Sequence, residues 1–224
     1  MLEGQLPHTK HQKVLEENRQ WQMQLIEAFG ICPFAKQCRQ QGRLWRQVLD
    51  RPEASFADTL THAIAAHHRQ PDHSEITPEI ALLLCPDASA DAAAFERLVR
   101  RCGDRAAQLV RSEGLEPRYY VVAFHPLMAF SSADPQKLVG FWRRAPHPTV
   151  QLVHIATLNQ LRTERQPAKY VDPADLEAVQ ALLGQDISGD LADRIALANW
   201  RTYHANEVDL LARSAQLLVT SDNS

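Results

Sequence analysis

A chain of 224 residues with 45% apolar and 23% charged residues lies in the globular range, which excludes disorder as the expectation and allows one large domain or a domain with a helical appendage. Its 24 Lys and Arg against 27 Asp and Glu leave a formal charge of -3, without the basic surplus that holds nucleic acid or an anionic membrane. No apolar run approaches the roughly 20 residues of a membrane span, and the opening MLEGQLPHTKHQKVLEENRQ lacks the apolar core of a signal peptide, so a cytoplasmic protein with small-molecule or protein partners is expected.

From about Lys10 to Phe29 the pattern predicts a helix, with Trp21, Leu25 and Phe29 at four-residue spacing and Gly30 at the stop. Pro33 is suited to open the next helix, because its missing N–H would be unpaired there anyway. Residues 42–49 read as a strand ended by Arg51-Pro52. Ser55 then caps a helix with Phe56, Leu60, Ala63, Ile64 and His67 along one face. The continuous apolar run 79–86, closed by Pro86, suits a strand buried on both faces. Asp91 to Glu113 carries Phe95, Leu98, Val99, Cys102, Ala106, Leu109 and Val110 as a single apolar stripe, and is the clearest helix. Strands follow over 118–124 and 148–155, separated by a short helix from about Asp134 to Trp142.

This order predicts an α+β fold with a sheet of about four strands, a ferredoxin-like split arrangement, and further helices at both ends. Residues 1–165 are expected to form the core domain. Residues 166–224 are expected to be a linker, centred on 166–173, and a helical extension over about 191–218 that packs on the core.

The unusual residues stand at the ends of these elements: Cys32-Pro33-Phe34-Ala35, Phe124-His125-Pro126 and Arg143-Arg144-Ala145-Pro146-His147-Pro148. Loops on a rigid scaffold hold binding groups while leaving them accessible. With Pro33 as first helical residue, Cys32 becomes the cap, where the partial positive charge of the helix end favours a thiolate; the alternative is a small apolar cysteine in a turn. On one continuous helix Cys38 would stand six positions on, rotated by roughly 240° and raised by about 9 Å, too far for a disulfide with Cys32 unless the helix starts later or unwinds. Cys102 lies on an apolar stripe as core filler, and Cys85 ends the buried strand, where it could line the same cleft. His125 and His147, each fixed by a neighbouring proline, suit acid/base work or metal ligation. Arg143 and Arg144 diverge by about 100° on a helix and need not face one ligand: either one binds a carboxylate or phosphate while the other is solvated, or both are solvated. There is no HExxH, paired CxxC, P-loop or GxGxxG.

Through GICPFAKQC, VVAFHP and RRAPHPTVQLV, with the spacing between them, the chain resembles the family known as the domain of unknown function numbered 1415 over roughly Trp21 to Ile155. The family pattern favours Ser where Ala145 stands, often Tyr at His147, and His where Gln151 sits, which marks a divergent member. The resemblance implies a shared α+β core and a site using Cys32, His125 and an arginine at 143 or 144.

Three functional readings follow. In the first, a Cys32 thiolate acts on a small anionic substrate, with His125 as acid/base and Arg143, Arg144 and His147 binding the substrate. The second makes Cys32, with or without His125, the ligand of a haem or transition metal in an oxidoreductase; Cys-Pro at a helix start resembles the proximal run of haem-thiolate peroxygenases over a few residues. The third is a non-catalytic binding or assembly protein, oligomeric through C-terminal helices bearing Trp200, Tyr203, Leu210 and Leu211.

Overall fold

The computed structural model describes residues 10–32, 35–50, 55–70, 77–88, 91–163 and 191–219. Four strands, β1 (Leu44–Val48), β2 (Ile80–Leu84), β3 (Tyr119–Phe124) and β4 (Thr149–His154), form one sheet in the order β1-β2-β4-β3. β1 and β2 pair in parallel, while β4 is antiparallel to both β2 and β3. All five residues of β2 are buried, as its unbroken apolar run requires of a strand covered on both faces.

Helix α3 (Phe56–His68) connects β1 to β2, and α4 (Ala92–Ser112) connects β2 to β3. Both crossovers step the same way across the sheet, so the right-handed rule for parallel connections puts both helices on one face. There they pack on each other and bury Leu60 and Ile64 with Phe95, Val99, Cys102, Ala106 and Val110 against Ala81, Leu83, Val150 and Leu152. Ser55 caps α3 as the sequence predicts, and Asp91 caps α4. Asp91 Oδ1 accepts from the Ala94 amide at 2.8 Å, and Ser55 Oγ accepts from the Asp58 amide at 3.4 Å.

The other face, formed in register by residues such as Leu82, Gln151 and Val122, is covered by N-terminal elements. Here the predicted single helix over 10–29 divides. Helix α1 (Lys10–Trp21) runs straight into a π-helical segment, Gln22–Glu27, whose wider turn is marked by bonds from Ala28 N to Met23 O at 3.2 Å and Ile31 N to Ile26 O at 2.9 Å. The wider turn leaves Gln22 and Ile26 buried beside Trp21 and Leu25. Gly30 then turns the chain at φ 64°, and α2 (Ala35–Gln40) leads into β1.

Helix α5 (Pro135–Trp142), capped by Asp134, links β3 to β4. Helix α6 (Ile155–Thr163), which the sequence reading did not separate from its surroundings, continues directly from β4. The predicted C-terminal helix is two, α7 (Leu191–Ala205) and α8 (Glu207–Val219), divided at Asn206, whose carbonyl accepts the Leu210 amide at 2.9 Å. Tyr203, Leu210 and Leu217 are buried with Phe141 and Trp142 of α5. Of the four residues expected to offer a partner surface, Tyr203 and Leu210 are thus interior, and Trp200 donates its indole N–H to Ser132 O; Leu211 is the exposed one. The predicted linker 166–173 lies outside the described residues.

The fold is α+β, as expected. Its strand order corrects the ferredoxin-like expectation in one respect. β2–α4–β3 is a split βαβ unit with β4 between its parallel strands, but β1 reaches β2 through an unsplit parallel crossover, because the connection contains a full helix. Among the described residues no helix is long and apolar enough to cross a membrane.

Candidate functional site

Between the N-terminal elements and the sheet lies a cavity of about 190 Å³. Its walls come from the π segment (Gln22, Ile26), the Gly30 turn (Ile31, Cys32), the sheet (Leu82, Val122, Gln151) and the end of α5 (Trp142, Arg143). A wider recess of about 800 Å³ adjoins it, walled by α5, α7 and the 128–131 loop. The two share Val122, Val139, Trp142, Arg143 and Gln151.

Cys32 is half-buried on the cavity wall, and its carbonyl accepts the Ala35 amide at 3.4 Å. α2 begins at Ala35, and Pro33 and Phe34, on which the expected cap rests, lie outside the described residues. The other cysteines are placed quite differently. Cys38 is buried and donates to Glu79 Oε2 at 3.0 Å; burial first, and then that carboxylate, hold its thiol far above the usual range. Burial pushes the Cys85 thiol up to about 12 and also raises Cys102, both in the core beneath α3 and α4. Cys85 therefore faces the core and lines neither cavity. The four cysteines are free thiols, and Cys32 precedes α2 rather than lying on one helix with Cys38.

The two arginines diverge. Arg143, at the end of α5, lines both cavities, and its carboxylate contact is Glu96, with Nη1 and Oε1 3.7 Å apart near solvent. Arg144 turns away to donate from Nε to Met128 O at 3.0 Å and to lie 4.8 Å over the Phe130 ring; burial lowers its pKa. His147 is bound to Glu17, Nε2 to Oε2 at 2.7 Å, and pins the start of β4 to α1. His125 is buried, accepts the Leu127 amide on Nδ1 at 3.1 Å, and packs its ring 5.8 Å from Phe95 of α4. Cys32 and Arg143, 111 positions apart in the chain, are brought together. Arg144, His147 and His125 line neither the inner cavity nor the recess.

A family model matches residues 13–186, which carry every lining residue of the inner cavity. The chain belongs to the family described as protein of unknown function (DUF1415). No curated protein and no solved structure matches it. In this DUF1415 member, Gln151 stands on the shared wall of the two cavities.

The residues that sequence reasoning passed over are polar or aromatic groups brought in by the π segment and the central strands. Gln22, 2% exposed, donates to Glu27 Oε1 at 2.7 Å and accepts from Arg46 Nη2, while Arg46 Nε donates to Asn18 Oδ1 at 2.8 Å. Arg39 closes the chain with two bonds of 2.8 Å to Glu27, and this pairing, the largest influence, keeps the Glu27 carboxyl below its ordinary range. Burial lowers the Arg46 guanidinium to about 10. Trp21 and Trp142 both line the inner cavity, and each keeps a buried indole N–H without an acceptor. One signal was legible: Arg46 is polar between Leu44 and Val48, its same-face neighbours along β1.

The expected haem or metal finds a poor fit. Among the described residues no group of three or more His, Cys, Asp or Glu could hold a metal ion, and Cys32 and His125 do not share a cavity. A haem also exceeds an inner volume of about 190 Å³, which falls below the roughly 300–1,000 Å³ typical of drug-sized ligands.

Proposed function

We propose that the inner cavity takes a small anionic molecule and that the Cys32 thiol is the group that reacts with it. The observation that carries this reading is the company Cys32 keeps. Among the described lining residues there is no Asp, Glu, His, Lys or Tyr, and Thr149 has its hydroxyl committed to His147 O at 2.8 Å. The lining thus contains one nucleophile, Cys32, and one cation, Arg143, on otherwise apolar and amide walls. With a guanidinium and no carboxylate on its wall, the inner cavity favours an anionic ligand. Its volume is near the ~150 Å³ of a cavity that holds benzene, so the ligand is a single ring or a short branched acid. His125, which the sequence pairs with Cys32, is assigned to holding the turn after β3 through the Leu127 amide.

The test compares alkylation of the native protein by iodoacetate and iodoacetamide, with peptide mapping. The thiolate displaces iodide in both, so the two reagents differ in the carboxylate alone. Adducts are expected on Cys32 before Cys38, Cys85 or Cys102, with an iodoacetate preference that Arg143→Met removes. Equal labelling of the buried cysteines, or an unchanged reagent ratio in Arg143→Met, would sink the assignment.

The absence of an acid/base side chain from the described lining also favours a second reading, a protein that binds the molecule without turning it over. Unchanged ligand affinity in Cys32→Ser, together with no covalent adduct on the wild-type protein, selects that reading.

A further inference from the structure

Gln151 stands on β4, a central strand with β2 on one side and β3 on the other. By register its neighbours on the same face are Leu82 and Val122, both apolar. A carboxamide at such a part-exposed position brings two donors and an acceptor to the space it borders. That of Gln151 has no hydrogen bond to any described residue, and it borders both the inner cavity and the outer recess. Arg143 borders both as well, with its guanidinium engaged by a carboxylate only at 3.7 Å and toward solvent, where such a pair contributes little. Where the two spaces meet, a guanidinium and an amide N–H donor are therefore available on one wall. Behind them the inner space is apolar, ring-sized and flanked by Trp21 and Trp142.

We propose that Gln151 is the specificity residue of this site, and that the ligand is a carboxylic acid with a ring-sized apolar body: the body fills the inner cavity and the carboxylate sits at the waist between the two spaces, held by Arg143 and the Gln151 amide. The proposal rests on the reading that the inner cavity is the ligand site. It adds the class of ligand and the residue that selects it. A carboxylate matches two donors and offers no donor of its own, whereas a neutral amide of the same shape turns an N–H toward the guanidinium. A short acid lacking the ring leaves the inner apolar surface uncovered.

Benzoate, benzamide and acetate serve as probes, with binding read by calorimetry and by tryptophan fluorescence, for which Trp21 and Trp142 are internal reporters. Wild-type protein is expected to bind benzoate about tenfold more tightly than benzamide, and more tightly than acetate. Gln151→Glu keeps the shape but places a carboxylate at the waist, so it should reverse the order and favour benzamide. Arg143→Met, at a partly exposed helix end, should bring benzoate and benzamide to equal affinity, and serves if Gln151→Glu does not fold. Equal binding of the two probes by wild-type protein, or an unchanged ratio in both variants, overturns the proposal. Should that occur while iodoacetate still prefers Cys32 through Arg143, the ligand class fails and the thiol reading stands. Should the probes rank as expected while Cys32 labels no faster than the buried cysteines, the thiol reading fails and the recognition pair stands.

Discussion

Acidification provides a test of the packing of α3 against the sheet, through His68. Its Nδ1 accepts two backbone amides, Arg118 N at 3.1 Å and Tyr119 N at 3.3 Å, and its ring, 1% exposed, lies 5.9 Å from that of Tyr119. An acceptor in that position cannot carry a proton, so the fold holds His68 neutral, and burial, followed by His67 and Arg111, lowers its pKa from 6.5 to about 4. Because the folded pKa is depressed, the unfolded chain binds more protons between those values. The stability is complete above about pH 6.5 and is lost as pH falls toward about 4. At pH 5 the loss from this one residue is about 2 kcal/mol, taking ~1.4 kcal/mol per pH unit over the ~1.5 units below the unfolded value. The carboxylates Glu27, Asp91 and Glu113 are all held below their ordinary range, so they titrate at lower pH and leave this window to the histidines. Urea unfolding at about pH 7.5 and about pH 5, on the wild type and on His68→Asn, measures the effect. Asn presents an acceptor near the Nδ1 position without titrating. The variant should lose about 2 kcal/mol less than the wild type between the two pH values; an identical loss in both proteins would refute the assignment.

Two further substitutions test the walls of the recess. A Cβ at Gly140 would stand 1.9 Å from Ala129 O, so Gly140→Ala must push α5 off the 128–131 loop, with an expected loss of about 1–3 kcal/mol and a changed fluorescence response to benzoate; a variant as stable as wild type would show that the two segments are not packed this closely. Asp134 accepts from Gln136 N at 2.9 Å and Lys137 N at 3.4 Å, so Asp134→Ala should lower stability by about 1 kcal/mol and Asp134→Asn should restore most of it, checked by the same denaturation assay.

Local chemistry was readable wherever it depends on near neighbours. The cap at Ser55, the unbroken apolar run of β2 and the stripe of α4 each express a rule with a reach of one or two turns, and the structure keeps them within a residue or two. The same holds for Cys102 as core. The π segment escaped because its pattern, Trp21 to Leu25 to Phe29, is also that of an ordinary helix; what widens the turn is the burial of Gln22, whose amide bridges Glu27 and a strand residue, Arg46. His125 and Cys32 were paired because both end an element beside a proline, yet His125 turns toward Phe95 of α4 and lines neither cavity.

The sequence by itself determined the α+β class, the approximate places of the four strands, the family, and the short list from which Cys32 and Arg143 come. These follow from side-chain periodicity and backbone preferences, which act over a few residues. Only the tertiary structure decided the order β1-β2-β4-β3, the divergence of Arg143 from Arg144, and the meeting of Cys32, Trp142, Arg143 and Gln151 on one set of walls. Strand order and cavity walls arise from contacts between segments far apart in the chain, where a glutamine on a central strand reads as one more polar residue until its neighbours in space are known.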